Sequence, residues 1–280
     1  MAIKLLVDSC CDISQEEAKE LGIRVIPILV SIDGEDYLDG INLSVDEFYE
    51  KLSTCKNLPK TSQINPYRYE EEFTKATENG DEVIYIALSS GCSGTYACAK
   101  LVSENFNGKV HVIDSLNIAT GQRMFVEYAM RLLKTNMSAT EIVEELEKAK
   151  SRVRILAVVD TLEYIKKGGR ISPTVAFAGE LFNIKPIVSI INGKVEMIGK
   201  ARGSKRAFDF INEYIDNCGG IDFDMPCALL YTGSDDTKLE KYKEFNKDVW
   251  ADKNMGKCRI GCTIGTHAGP GAAGIAFFTK

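Results

Sequence analysis

Histidine is scarce in this chain, with two residues in 280, and the nine cysteines are scattered. That leaves little material for a metal centre. One local grouping, Cys258, Cys262 and His267, fails on spacing. Residues 257–264 read as a strand, in which positions four apart sit roughly 13 Å from each other. Zinc ligands must reach one ion at about 2.0–2.3 Å, so no metal is expected. Lys/Arg-rich runs are also missing, and 34 basic residues face 40 acidic ones for a net charge of −6. A chain of that balance is a poor match to a phosphate backbone, which argues against nucleic acid as a partner. No stretch approaches the ~20 apolar residues of a membrane span. The opening run from Met1 carries Lys4 and stops at Asp8, too short for the apolar core of a signal peptide. With an odd number of cysteines, this reads as a reduced, cytoplasmic protein without stable membrane insertion. Walker-type phosphate loops, a dinucleotide Gly-x-Gly-x-x-Gly after a strand, and the Gly-x-Ser-x-Gly elbow of hydrolases are likewise absent.

What is present suits a globular core: 45% hydrophobic and 26% charged residues, in a length fit for one large or two ordinary domains. The first half alternates apolar runs with helical patterns. Strands are expected at 3–7, 82–88 and 109–113, with a further apolar run at 24–31 and a short strand near Tyr37 after the Asp33-Gly34 turn. Capping boxes at Ser14, Ser44 and Ser138 open helices, and Pro66 suits the first turn of another. Helices are also expected at about 94–105 and 117–134. Such alternation predicts parallel βαβ units. After residue 150 the pattern changes. A strand at 154–159 leads to a short helix ended by Gly168-Gly169, and Asn192-Gly193 joins two strands as a hairpin. A helix near 204–217, a strand at 227–231, another helix and two last strands follow. The expectation is α/β with two domains: 1–150 around a mostly parallel sheet, and 151–280 as a mixed-sheet α+β unit.

Three strands end alike, in Asp8-Ser9, Asp114-Ser115 and Asp160-Thr161. Carboxyl ends of parallel strands are where open α/β sheets hold ligands, so these are candidate pocket walls, although helix capping accounts for such residues equally well. The segment Leu88-Ser89-Ser90-Gly91-Cys92-Ser93-Gly94-Thr95-Tyr96 joins a strand to a helix with four hydroxyls and two glycines. Ser93 is expected at the N-cap, with the free N–H groups of Gly94 and Thr95 behind it, an arrangement that favours an anion. A plain capping serine is the alternative. A second segment, Lys60-Thr61-Ser62-Gln63-Ile64-Asn65-Pro66, reads as a polar loop before a helix. The third, Gly265 to Gly271, reads as a flexible glycine-rich turn between two strands, carrying His267 as a neutral donor. His111, alternating within a strand, is expected to pack.

Taken in order, Asp8-Ser9, Thr61-Ser62-Gln63, Ser93-Gly94-Thr95-Tyr96, Lys167-Gly168-Gly169-Arg170-Ile171-Ser172, Lys185-Pro186-Ile187 and His267-Ala268-Gly269-Pro270-Gly271 resemble the DegV family from residue 3 onward. The resemblance implies a two-domain protein, not itself an enzyme, that holds one long-chain fatty acid between its domains and takes no other cofactor. It implies a carboxylate held by Thr61 and Ser93 with His267 nearby, the neighbours Ser62, Gly94 and Thr95 completing the site. It further implies that a separate fatty acid kinase phosphorylates the bound acid, docking on Arg170 and Arg202. Two departures stand out. Ile64-Asn65-Pro66 replaces the family's Pro-Ser-Pro, and Cys92 replaces a usual leucine. Both bear on which acyl chain fits.

A palmitate-length tail of roughly 14 methylenes, at about 0.8 kcal/mol each, contributes around 11 kcal/mol before association costs. The head then needs only orientation, which neutral hydroxyls supply without a salt bridge, leaving the carboxylate oxygen nucleophilic. Residues 200–206 read as a solvated helix start whose cations oppose the dipole. Two other functions compete: a small hydrolase or acyl transferase using Ser93 and His267, and a binder of a small phosphorylated metabolite at the Ser93 helix.

Overall fold

The computed structural model describes residues 2–172, 183–247 and 255–280. Short buried runs build the first sheet. Strands β1 (Ile3–Asp8), β2 (Arg24–Ile26), β6 (Glu82–Ala87) and β7 (Val110–Asp114) pair in the order β2-β1-β6-β7, all parallel. The expected run at 24–31 is two strands. After β2 the chain leaves this sheet, and β3 (Leu29–Ile32) pairs antiparallel with both β4 (Glu35–Leu38) and β5 (Lys60–Ser62) in a separate small sheet. Residues 60–62 are therefore strand, not polar loop. Pairing on an edge satisfies their backbone and leaves polar side chains free to point out.

A second large sheet is mixed, in the order β10-β9-β8-β13-β11-β12, from β8 (Val153–Val158), β9 (Ile184–Ile191), β10 (Lys194–Arg202), β11 (Cys227–Tyr231), β12 (Gly256–Arg259) and β13 (Ala273–Phe278). Its pairs are antiparallel except β11 with β12. The β9–β10 turn has Asn192 at φ 49° and Gly193 at φ 77°, the two positive values that a type I′ turn needs. The fold is thus α/β, with one parallel and one mixed sheet, as the sequence patterning predicts.

Helices start where their caps dictate. In α1 (Gln15–Leu21) Ser14 accepts from Glu17 N, half of the expected box, and Gly22 closes the helix at φ 70°. The full capping box forms at Ser44/Glu47 for α2 (Val45–Thr54). Asn65 caps α3 (Pro66–Thr77), with Pro66 in the first turn. Then come α4 (Thr95–Ser103), α5 (Ala119–Leu132) and α6 (Ala139–Ala149), the last opened by a second full box at Ser138/Glu141. The C-terminal half adds α7 (Glu163–Lys167), α8 (Ser204–Asn217), α9 (Thr237–Phe245) and α10 (Cys262–Ala268). No described helix is long and apolar enough to cross a membrane.

Helix α10 corrects the sequence reading. The strand expected at 257–264 ends at Arg259, and Cys262 opens a helix. The extended-spacing argument against zinc therefore fails for Cys258 and Cys262. Among the described residues, no group of three or more His, Cys, Asp or Glu is placed to hold a metal. The glycines explain the misreading. A Cβ at Gly265 would lie 2.6 Å from Phe48, and one at Gly269 would lie 2.3 Å from Tyr164. They let α10 pack tightly against α2 and α7, a role that in sequence looks like flexibility. Residues 200–206 are likewise not one helix start: Lys200 and Arg202 end β10, and only Lys205 and Arg206 lie in the first turn of α8.

Candidate functional site

A cavity of about 1000 Å³, open solvent at its mouth included, runs between the parallel and the mixed sheet. Its walls are mostly aliphatic: Leu88 from the end of β6, Ile118 before α5, Ile155 from β8, Val188 and Ile190 from β9, and Leu230 from β11. Val188, Ser189 and Ile190 of β9 line the cavity, while Ile187, just ahead of them, joins the opposite core under α8. The three Asp-ended strand termini do not line this space. Asp8 is buried and accepts from Leu88 N, Cys10 N, Tyr85 and Gln122. Asp114 accepts from Ser90 N and Leu116 N. Asp160 pairs with Lys185 and Lys238. Of the three, Asp8 alone is a helix cap, opening the 3-10 turn at Ser9–Cys11, whereas Asp114 and Asp160 cap no helix and tie loops down instead. Burial pushes Asp8 up to about 6 despite its four donors.

Ser189, Thr232 and Thr263 line the cavity singly, whereas Thr61, Ser62 and Gln63 of β5 and its end, Ser93, Arg170 and His267 are linked by close contacts. Thr61 Oγ1 lies 2.8 Å from His267 Nε2. His267 stands in the last turn of α10, half-buried, rather than on a loop. Its Nδ1 is buried without a protein partner. Burial, and then the nearby Arg170 charge, hold its pKa down at about 4, so the ring is neutral at pH 7. Gly168 makes room for it, since a Cβ there would come 2.4 Å from Nδ1. Neighbouring Gly169, at φ 70°, ends α7 by conformation instead.

Ser93 lies one residue ahead of its expected place. The N-cap of α4 is Gly94, and no side chain caps it. Ser93 Oγ is 2.9 Å from Thr95 Oγ1 and also accepts from Thr95 N at 3.3 Å. Thr95 itself is fully buried and outside the lining, so it holds Ser93 from behind. Gly94 is exposed and also outside the lining. A Cβ on it would lie 2.1 Å from Gln63 Oε1, which puts the Thr61–Gln63 strand end against the start of α4.

Arg170, expected as a partner-docking cation, stands at the cavity as well. It is half-buried, donates to Cys92 O at 3.3 Å and Gly168 O at 2.5 Å, and lines the same cavity. Arg202, at the end of β10, is exposed and outside the lining. Of the two departures, Cys92 lines the cavity, its thiol near Gly193 O. Ile64 is core, and Asn65 is the α3 cap. His111, on β7, approaches Glu82 Oε1 at 3.3 Å, away from this site.

Comparison with known proteins gives one answer throughout. The model of the family described as "Uncharacterised protein, DegV family" matches residues 2–280. A DegV domain-containing protein of Caldanaerobacter subterraneus is 35% identical over 280 residues, covering 99% of each chain. Solved structures that cover the full length of both chains include two fatty-acid-binding relatives. One concerns the fatty acid binding of a DegV family protein from Thermus thermophilus, at 29% identity and a TM-score of 0.88. The other is DegV, a fatty acid binding protein from Bacillus subtilis, at 30% identity and a TM-score of 0.84. With this fold and full-length matches to its relatives, the chain belongs to the DegV family.

Proposed function

We propose that this protein binds one long-chain fatty acid and presents its carboxylate to a separate fatty acid kinase. The observation that carries the reading is the division of one cavity into aliphatic walls and a polar end built from Thr61, Ser93, Arg170 and His267. An aliphatic tail gains about 0.8 kcal/mol per buried methylene along such walls. The carboxylate finds two hydroxyls, a neutral imidazole and a guanidinium, with Ser62 at the edge and Thr95 fixing Ser93. One cation among neutral donors supplies the charge that holds the head at this end of the cavity. The fatty acid binding of the Thermus thermophilus and Bacillus subtilis proteins supports the same reading. In it, a boundary near residue 150 separates two domains and the acid lies between them. Arg202 then offers an exposed cation for the kinase.

The hydrolase alternative needs Ser93 beside His267. Here Ser93 engages Thr95 and His267 engages Thr61. A small phosphorylated metabolite fits aliphatic walls poorly. The carrier role is tested by acyl phosphate formation. Kinase and ATP should yield it from palmitate only when this protein is added. Equal yield without the protein overturns the role.

A further inference from the structure

Helix α10 is seven residues long, about 10 Å at 1.5 Å per residue. A helix so short does not hold its own position, and its N-cap, Gly261, has no side chain to offer. Two aspartates from the far end of the chain stand there instead. Asp12 Oδ1 accepts from Gly261 N at 2.8 Å. Asp39 Oδ2 accepts from Thr263 N at 3.1 Å and from Thr263 Oγ1 at 2.6 Å. The two carboxylates meet around one point, since a Cβ added to Gly261 would lie 3.4 Å from Asp12 Oδ1 and 3.7 Å from Asp39 Oδ1. Tyr49 adds a bond to Ile260 O at 3.1 Å, just ahead of the helix.

These contacts fix more than an end. Asp39 holds the backbone and the side chain of one residue together, which sets rotation about the helix axis as well as position along it. Four residues on from Thr263, one helical turn later, stands His267, whose Nε2 must reach Thr61. Neither aspartate lines the cavity, whereas Thr263 does. We infer that Asp39, seconded by Asp12, is a positioning residue for His267: it sets the rotation of α10 that turns the imidazole toward Thr61. The inference rests on the proposed head-group role of His267. A mere structural cap would support the fold without acting on the ring.

The test compares wild type, Asp39→Asn and Asp39→Ala by two readouts. The first is the imidazole titration of His267, followed by NMR in the ligand-free protein. Asn keeps an acceptor for Thr263 and should leave the titration in place. Ala should let the ring loosen and water enter, so that it titrates nearer the ordinary histidine range, with Arg170 still the charged group beside it. The second is the ratio of affinities for palmitate and for its methyl ester. Ala should lower that ratio by roughly fivefold or more and Asn should not, because head-group bonds fail while the tail still binds. An unchanged titration in Asp39→Ala, or equal losses for acid and ester, overturns the inference. A wild type that does not distinguish acid from ester refutes the head-group reading instead, and the titration alone then decides this one. Should Asp39→Ala not fold, Asp39→Ser, with a shorter acceptor, makes the same comparison.

Discussion

Thr61 Oγ1 and His267 Nε2 meet at 2.8 Å across 206 residues of sequence. The contact joins an edge strand of the small sheet to the last turn of α10 at the polar end of an otherwise aliphatic cavity. Replacing Thr61 with Ala removes one bond to a charged acceptor, worth about 1.5–3 kcal/mol. Palmitate affinity should fall about ten- to a hundredfold by calorimetry, with little change in melting temperature. Ser93→Ala should also weaken binding, with an added loss of stability, because Ser93 holds Thr95 at the start of α4. If Ser93→Ala lowers the melting temperature while affinity stays unchanged, Ser93 only steadies Thr95 at the start of α4 and is no ligand residue.

Adjacent glycines should separate by mechanism. Gly168→Ala puts a methyl group 2.4 Å from His267 Nδ1, so the ring must shift and acid affinity should drop at least as far as in Thr61→Ala. Gly169→Ala meets nothing within 4 Å but sits at φ 70°. It should cost about 1 kcal/mol of stability and leave affinity alone. Equal behaviour of the two variants in binding and melting would refute the packing argument.

Acid should weaken the fold through His267. Its folded pKa, about 4, lies below the unfolded value of about 6.5. The stability it contributes is therefore full above about 6.5 and is lost as pH falls toward 4. Asp8 runs the other way. Raised to about 6, it contributes stability at low pH that is lost as pH rises through that value. Because the two oppose each other, the variant isolates the histidine. Urea unfolding at pH 7 and pH 4.5 should show a smaller acid loss in His267→Gln than in wild type, and identical losses would contradict the buried neutral ring.

The two arginines should part company. Arg202 is exposed and off the cavity, so Arg202→Ala should keep palmitate affinity and slow kinase turnover at saturating lipid, with the gap from wild type widest at low salt. Arg170 lines the cavity, so Arg170→Ala should lose affinity as well as turnover. Unchanged turnover in Arg202→Ala would return that residue to the solvated surface.

Much of this was legible in sequence, for physical reasons that differ by segment. Apolar runs bounded by caps fixed β1, β6 and β7, and Asn192-Gly193 could hardly be anything but a tight hairpin turn. Hydroxyls and glycines clustered at a strand-to-helix step single out Ser93, whereas the head-group roles proposed for Thr61 and His267 come from the family resemblance. Helix α10 was not found. Its residues, Cys262-Thr263-Ile264-Gly265-Thr266-His267-Ala268, have poor helix propensity, and it is helical because Asp12 and Asp39 bond its N-terminus from across the chain. Gly265 and Gly269 looked like a loop because their value lies in how closely other helices approach, which no local pattern records. Arg170 was placed on the surface for the same reason: Cys92 O, 78 residues away in sequence, draws it inward.

The central claim, one long-chain fatty acid in this cavity, is tested most directly by native mass spectrometry of the protein purified from a bacterial host. The account predicts the 30.9 kDa chain carrying a single added mass of one long-chain fatty acid, released intact on activation and identified after organic extraction. A chain that flies bare, and stays bare after incubation with excess palmitate, would contradict it.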